Sequence, residues 1–116
     1  MKLKPFSTSL AEPALPYGEA NTFLGPLPLS LDLRFRNGNR HGFSYAFLFD
    51  VEYDASGMVW LTFGGVRVEI RGRNLTELYE KLLLHGVGYV QESPTSSSGT
   101  DSHPFIDAIE IRTIEM

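Results

Sequence analysis

Two arginines and an asparagine, Arg71, Arg73 and Asn74, stand immediately before a stretch with the periodicity of an amphipathic helix. The first N–H groups of a helix have no partner within the helix, and its N-terminus carries a partial positive charge. Guanidinium groups at that point would complete a site for a phosphate or a carboxylate. The spacing therefore predicts a small anionic-ligand site made of these three residues, with no metal and no cofactor.

The same arginines have a second interpretation, as part of the solvated face of an antiparallel sheet. In residues 66–71 charged side chains alternate with apolar ones, which is typical of a strand with one wet face. In this interpretation Asp32, Glu69 and Glu110 are the cross-strand partners of the arginines. The charges would then keep one face of the sheet in water and bind no ligand.

The sequence does not support a catalytic or metal-binding arrangement. No two of the histidines His41, His85 and His103 lie one helical turn apart, so no HxxxH-type metal pair is predicted. Ser96, His103 and Asp107 are the residue types of a hydrolase triad, but no nucleophile-bearing turn accompanies them. We therefore predict that the protein is not an enzyme.

Composition narrows the class of protein further. The chain has 116 residues, 42% of them hydrophobic, which is enough for one domain with its own core. It contains no cysteine, which excludes disulfides and thiolate metal sites and favours a cytoplasmic location. A formal net charge of -4 argues against nucleic acid as a partner, and we predict no signal peptide and no membrane-spanning segment.

Residues 1–28 differ in composition from the rest of the chain because they hold five of its seven prolines. Proline fixes φ and removes an N–H donor, so neither a long helix nor a central strand is predicted here. Large apolar side chains such as Phe6, Tyr17 and Phe23 nevertheless recur. We interpret the segment as an extended arm on its own domain or on a partner, with a mobile tail as the alternative. Residues 29–116 are predicted to form the single domain.

Alternation with a period of two begins at residue 29 and predicts five consecutive strands, at residues 29–36, 41–45, 47–53, 58–63 and 66–71. Their connections are short and rich in glycine and asparagine, which allows only antiparallel pairing and predicts a meander. In the third strand Phe47, Phe49, Val51 and Tyr53 share one face. Residues 58–63 are apolar on both faces, which predicts cover on both sides.

A helix is predicted from about Leu75 to His85. Asn74 and Glu77 have the spacing of a reciprocal N-terminal cap, and Gly86 is placed to end the helix in the left-handed conformation. The predicted buried stripe consists of Leu75, Leu78, Tyr79 and Leu82.

Two strands are predicted after the helix, at residues 88–92 and 104–116, and a bulge near Ala108 would reconcile the two halves of the second. The predicted fold class is therefore α+β. It consists of a strongly bent or partly closed antiparallel sheet of about six or seven strands. One helix is inserted before the last one or two strands.

The segment GRNLTELYEKLLLHGVGYVQE, residues 72–92, follows this meander and resembles a group of short, uncharacterised bacterial proteins. The resemblance extends over residues 29–92, with residues 105–111 as a further candidate segment. It implies the same order of strands and helix, and it transfers no catalytic residue because no activity is attached to the group.

Two functional hypotheses follow from the sequence. The first is a non-catalytic protein-interaction or structural module that self-associates as a homo-oligomer, because residues 58–63 are apolar on both faces and residues 1–28 form an apolar arm. The alternative is the small anionic-ligand binding domain with Arg71, Arg73 and Asn74 at the helix N-terminus.

Overall fold

The computed structural model describes residues 15–18, 28–94 and 103–114. These residues form eight strands and one α-helix. The strands are β1 Tyr17–Gly18, β2 Ser30–Arg34, β3 Arg40–Ser44, β4 Leu48–Asp54, β5 Met58–Phe63, β6 Val66–Arg73, β7 Tyr89–Gln91 and β8 Phe105–Thr113. The helix, α1, spans Thr76–Leu83 and precedes the last two strands. The predicted α+β class with a single helix before the last strands is therefore confirmed.

The number of strands and sheets differs from the prediction. The strands form two four-stranded sheets, one in the order β1-β7-β2-β3 and the other in the order β4-β5-β6-β8. All neighbours are antiparallel except β2 and β7, which are parallel. The predicted meander is interrupted between β3 and β4, where a 3-10 turn, Tyr45–Phe47, carries the chain from one sheet to the other.

One apolar core is shared by both sheets and the helix. Fully buried side chains come from β2, β5, β6 and α1, and include Leu31, Leu33, Val59, Leu61, Val68, Ile70, Leu78 and Leu82. Burying each such side chain contributes about 1.5–3 kcal/mol to folding. The predicted stripe of the helix is confirmed, with Leu75, Leu78 and Leu82 fully buried and Tyr79 packed against the core.

The two ends of α1 differ from the prediction. Asn74 has a φ of 60°, the N-cap residue is Leu75, and no side chain caps this end. The reciprocal cap of Asn74 and Glu77 is therefore wrong, because the Asn74 side-chain amide donates to the carbonyl oxygen of His103, 3.1 Å away. The Asn74 side chain thus binds a residue distant in the sequence in place of Glu77.

At the other end of α1 the left-handed residue is His85, with a φ of 57°, and not Gly86. The N–H of Gly86 donates to the carbonyl oxygen of Lys81 at 2.9 Å, and that of His85 donates to Leu82 at 3.0 Å. This pair of bonds is a Schellman motif, one residue earlier than predicted. Histidine is one of the few side chains that enter the left-handed region with some frequency.

β5 is covered on one face only. Val59, Leu61 and Phe63 are buried, whereas the alternate residues of β5 are partly exposed, so the predicted cover on both sides is wrong. In β8, the register against β6 shifts across Asp107, so the bulge predicted near Ala108 is confirmed.

The predicted arm, residues 1–28, lies mostly outside the described residues. Within it, Tyr17 and Gly18 form β1, which pairs with Val90 and Tyr89 of β7. The Tyr17 side chain is buried among the core residues. Burial and the nearby carboxylate of Glu77 raise the pKa of the Tyr17 hydroxyl. This short part of the arm therefore belongs to the packed structure.

Candidate functional site

Each of the three residues of the predicted anion site has a contact within the described residues. The Arg71 guanidinium lies 3.1 Å from a carboxylate oxygen of Glu110 and 3.7 Å from one of Glu69, on the outer face of the β4-β5-β6-β8 sheet. The Arg73 guanidinium lies over the ring of Phe105, 4.7 Å from its centroid. Asn74 contacts His103, as described above.

The outer face of this sheet is a network of opposite charges. Arg67 pairs with Glu52 at 2.7 Å and lies 5.3 Å from the centroid of the Trp60 ring, and Arg112 pairs with Glu110 at 2.6 Å. Hydrogen bonds from the two neighbouring arginines, only partly opposed by burial, lower the pKa of the Glu110 carboxyl. Glu69 and Glu110 are therefore the partners that the second interpretation expected.

The same holds on the other sheet, where Asp32 accepts hydrogen bonds from Arg34 and Arg40. The alternative interpretation of the arginines as a solvated, cross-paired sheet face is thus confirmed for Arg40 and Arg71, whereas Arg34 pairs with a carboxylate of its own strand. The anionic-ligand site remains a prediction, and the contacts described for Arg71 and Arg73 do not add to it.

The histidines take part in aromatic contacts. The His41 ring stacks on Phe43 with 4.4 Å between ring centroids, and the His85 ring stacks on Tyr45 at 4.5 Å. Within the described residues there is no group of three or more His, Asp or Glu side chains that could hold a metal ion. Of the hypothetical triad Ser96, His103 and Asp107, the serine lies outside the described residues.

An open groove of about 290 Å³ lies between β4 and the C-terminal end of α1. It is lined by Leu48, Phe49, Asp50, Val51, Leu82, Leu83 and His85. Among the described residues that line it, Asp50 and His85 are ionisable. A groove lined by several apolar side chains and two ionisable ones can receive a ligand or a partner side chain.

Large apolar side chains are exposed in this groove and close to its lining residues in the sequence. Phe49 and Leu83 in its lining are 71% and 51% exposed, and their neighbours Phe47 and Leu84 are 61% and 72% exposed. We call Phe47, Phe49, Leu83 and Leu84 the Phe49 patch.

A bulge in β4 explains why Phe49 is outside the core. Leu48 lies opposite Phe63 and Asp50 lies opposite Thr62, so Phe49 is the extra residue between two paired positions. The bulge breaks the alternation that placed Phe49 on one face with Val51 and Tyr53. The sequence contains no local signal of this bulge.

The leucines of the patch could have been found from the sequence. Leu82, Leu83 and Leu84 are consecutive, and successive helical residues are about 100° apart, so all three cannot face one core. Leu82 completes the buried stripe, which leaves Leu83 and Leu84 in water.

His85, which lines the groove, stacks on a tyrosine ring that is held in place by a hydrogen bond. The Tyr45 hydroxyl donates to the carbonyl oxygen of Val87 at 2.7 Å, and its ring supports that of His85. Burial raises the pKa of Tyr45 well above its ordinary value, against a smaller opposing effect of that hydrogen bond. The ring is therefore a neutral, fixed support for the residue that ends α1.

No helix among the described residues is long and apolar enough to span a membrane. No protein-family model, curated protein or solved structure matches this chain. The functional argument therefore depends on the geometry of the groove and its surroundings.

Proposed function

We propose that the protein is a non-catalytic protein-interaction module that self-associates by burying the Phe49 patch. The observation that carries the proposal is that two large, exposed apolar side chains, Phe49 and Leu83, line one groove and that Phe47 and Leu84, close to them in the sequence, are exposed as well. Monomeric proteins rarely leave contiguous apolar patches in water, and such patches mark interaction surfaces. Aromatic side chains beside a pocket are also the residues that contribute most to the free energy of association.

The proposed interaction surface is the Phe49 patch, whereas the sequence had indicated residues 58–63 and the arm. The apolar residues of β5 face the core on one side and the charged network on the other, whereas β4 and the end of α1 carry the exposed apolar groups. We propose in addition that the protein is a homo-oligomer and that it is bacterial, as the resemblance implies. The cysteine-free composition supports a cytoplasmic location.

The patch can be tested by measuring molar mass in solution. We expect the wild-type chain to elute as a homo-oligomer in size-exclusion chromatography with light scattering. A Phe49→Ser, Leu83→Ser variant is expected to be monomeric at the same concentration, because it loses two apolar contacts per surface. The variant should remain folded, since both side chains are exposed in the single chain, and its melting temperature should fall only by the stabilisation that association gives.

Leu29→Ser is the matched control. Leu29 is 76% exposed and lies before β2, outside the groove. This variant should keep the wild-type mass. A wild-type chain that is monomeric at high concentration, or a Phe49→Ser, Leu83→Ser variant with the wild-type mass, would contradict the proposal.

A further inference from the structure

The edge of the sheet beside the groove has an acidic face. β4 is an edge strand, with β5 as its only strand neighbour in the described part of the chain. Asp50, Glu52 and Asp54 alternate along β4 and lie on the outer face. Glu52 pairs with Arg67, whereas the described residues provide no basic side chain within salt-bridge distance of Asp50 or Asp54. Within the described part of the chain, the edge therefore carries negative charge that no basic side chain pairs with at Asp50 and Asp54.

This charge makes β4 of a second copy an unfavourable partner. Pairing of two β4 edges would place the carboxylates of one copy against those of the other, and like charges on opposing strands are destabilising. A strand that fits this edge needs positive side chains at alternate positions, facing the carboxylates. Between them it needs an apolar side chain, which points to the opposite face and towards the groove.

The positions of the lysines and arginines indicate which segment of the chain has positive side chains on both sides of an apolar one. The sequence has ten lysines and arginines, and eight of them lie in the described residues. Each of the eight is already engaged by a carboxylate, a carbonyl oxygen or an aromatic ring: Arg34, Arg36, Arg40, Arg67, Arg71, Arg73, Lys81 and Arg112. The other two are Lys2 and Lys4, which flank Leu3 and lie outside the described residues.

We propose that residues 2–5 of one copy add as a further strand to the β4 edge of a second copy. Lys2 and Lys4 then face Asp50, Glu52 and Asp54, and Leu3 faces the groove and the Phe49 patch. Pro5 ends the added strand because it has no N–H to donate. Exchange in both directions gives a closed two-fold dimer. This inference rests on the proposed self-association and names its partner segment.

Two charge-reversed full-length variants and their mixture test the exchange. The arm variant carries Lys2→Glu and Lys4→Glu, and the edge variant carries Asp50→Lys and Asp54→Lys, which leave the Arg67–Glu52 pair intact. A control with Glu80→Lys and Asp107→Lys makes the same charge change at exposed carboxylates outside β4. The molar mass is measured by light scattering over a range of concentrations, and the melting temperature verifies that each variant is folded.

We expect the dimer dissociation constant to rise roughly tenfold or more in each charge-reversed variant alone, because opposite-charge pairs become like-charge pairs. The control should match the wild type. A 1:1 mixture of the arm and edge variants should form a dimer, because the wild-type arm of the edge variant still fits the wild-type edge of the arm variant.

Three results would overturn the inference. A wild-type dimer that neither variant weakens places the contact elsewhere and leaves the proposed self-association intact. Two weakened variants that form no mixed dimer exclude exchange between copies. A monomeric wild type whose arm variant melts at a lower temperature shows that the arm binds its own β4, and in that case the proposed self-association fails as well.

Discussion

Asp32 illustrates how single side chains on the wet face of a sheet are held in place. Its carboxylate accepts hydrogen bonds from Arg34 Nε at 2.9 Å and from an Arg40 terminal nitrogen at 2.7 Å. Partial burial raises the pKa of this carboxyl, but the hydrogen bonds and charges of the two arginines outweigh it, so the pKa is lowered. The ionised carboxylate is therefore favoured in the folded protein relative to the unfolded chain.

We predict that Asp32→Asn lowers the free energy of unfolding at pH 7 by about 1 kcal/mol or less, since solvent screens an arginine pair of this kind. A lowered pKa contributes stability above the unfolded value of about 3.9, and this contribution is lost as the pH falls through the folded value. Urea unfolding at pH 7 and below pH 3 should therefore show a difference from the wild type that shrinks in acid. Asp107→Asn, at an exposed carboxylate, is the control, and a difference independent of pH would refute the prediction.

The side chains that were predicted well from the sequence are those whose partners follow from strand alternation. Glu69 and Glu110 could be expected beside Arg71 because charged residues at alternate positions share a sheet face. Phe49 could not be assigned correctly, because a single bulge in β4 moves it out of register. The candidate groove was missed for the same reason, although the run of leucines at the end of α1 indicated exposed apolar residues.

Among the elements, β6 and β8 depend on a close approach of two backbones. Gly72 lies opposite Ile106, immediately after the register shift, and its N–H donates to the carbonyl oxygen of Gly57 at 2.8 Å. A Cβ atom at Gly72 would overlap the carbonyl oxygen of Phe105, which belongs to the backbone of β8 and cannot rotate away. Glycine is required at this position because there is no room for a Cβ atom.

Gly72→Ala is accordingly expected to lower the free energy of unfolding by about 1–3 kcal/mol, as backbones must shift to make room. Gly65→Ala provides the comparison, because a Cβ atom there meets nothing within 4 Å. It should stay within about 0.5 kcal/mol of the wild type. Chemical denaturation of both variants is the measurement, and equal stabilities of the two would show that the β6–β8 pair adjusts without cost.

The helix shows which features of a secondary-structure element are determined by its local sequence. Its buried stripe follows from the 3.6-residue period and was predicted correctly. Its ends were not, because the Asn74 amide is bonded to His103 and the left-handed position is taken by His85, whose ring packs on Tyr45. Both ends are set by contacts with residues far away in the sequence, which no local pattern contains.

At the scale of the whole molecule, the chain passes from the β1-β7-β2-β3 sheet to the β4-β5-β6-β8 sheet after β3 and returns to the former at β7. The 3-10 turn at Tyr45–Phe47 separates β3 from β4, and β7 pairs in parallel with β2, so Arg34 lies opposite Gln91. Parallel pairing needs a long crossover, here from β3 through α1, and period-two alternation does not indicate which distant strand will be the neighbour. The class of fold was therefore predictable, and the division into two sheets was not.

Glu92 connects the two sheets after that crossover. One carboxylate oxygen accepts from the backbone N–H of Arg36, just past β2, at 2.7 Å, and the other accepts from that of Ile109 in β8 at 2.9 Å. The Arg36 side chain adds hydrogen bonds to the carbonyl oxygens of Ser93 and Asp107. One side chain thus satisfies two N–H donors that belong to different sheets.

We predict that Glu92→Ala lowers the free energy of unfolding by about 1–2 kcal/mol, because two backbone donors lose a charged acceptor and water replaces it only in part. Glu92→Gln keeps one acceptor oxygen in the same position and should lose about half as much. Urea denaturation gives the free energies, and hydrogen exchange locates the effect. Protection should fall at the N–H groups of Arg36 and Ile109 in Glu92→Ala while the β5–β6 pair keeps its protection. A variant as stable as the wild type, with both N–H groups still protected, would mean that other contacts join the sheets.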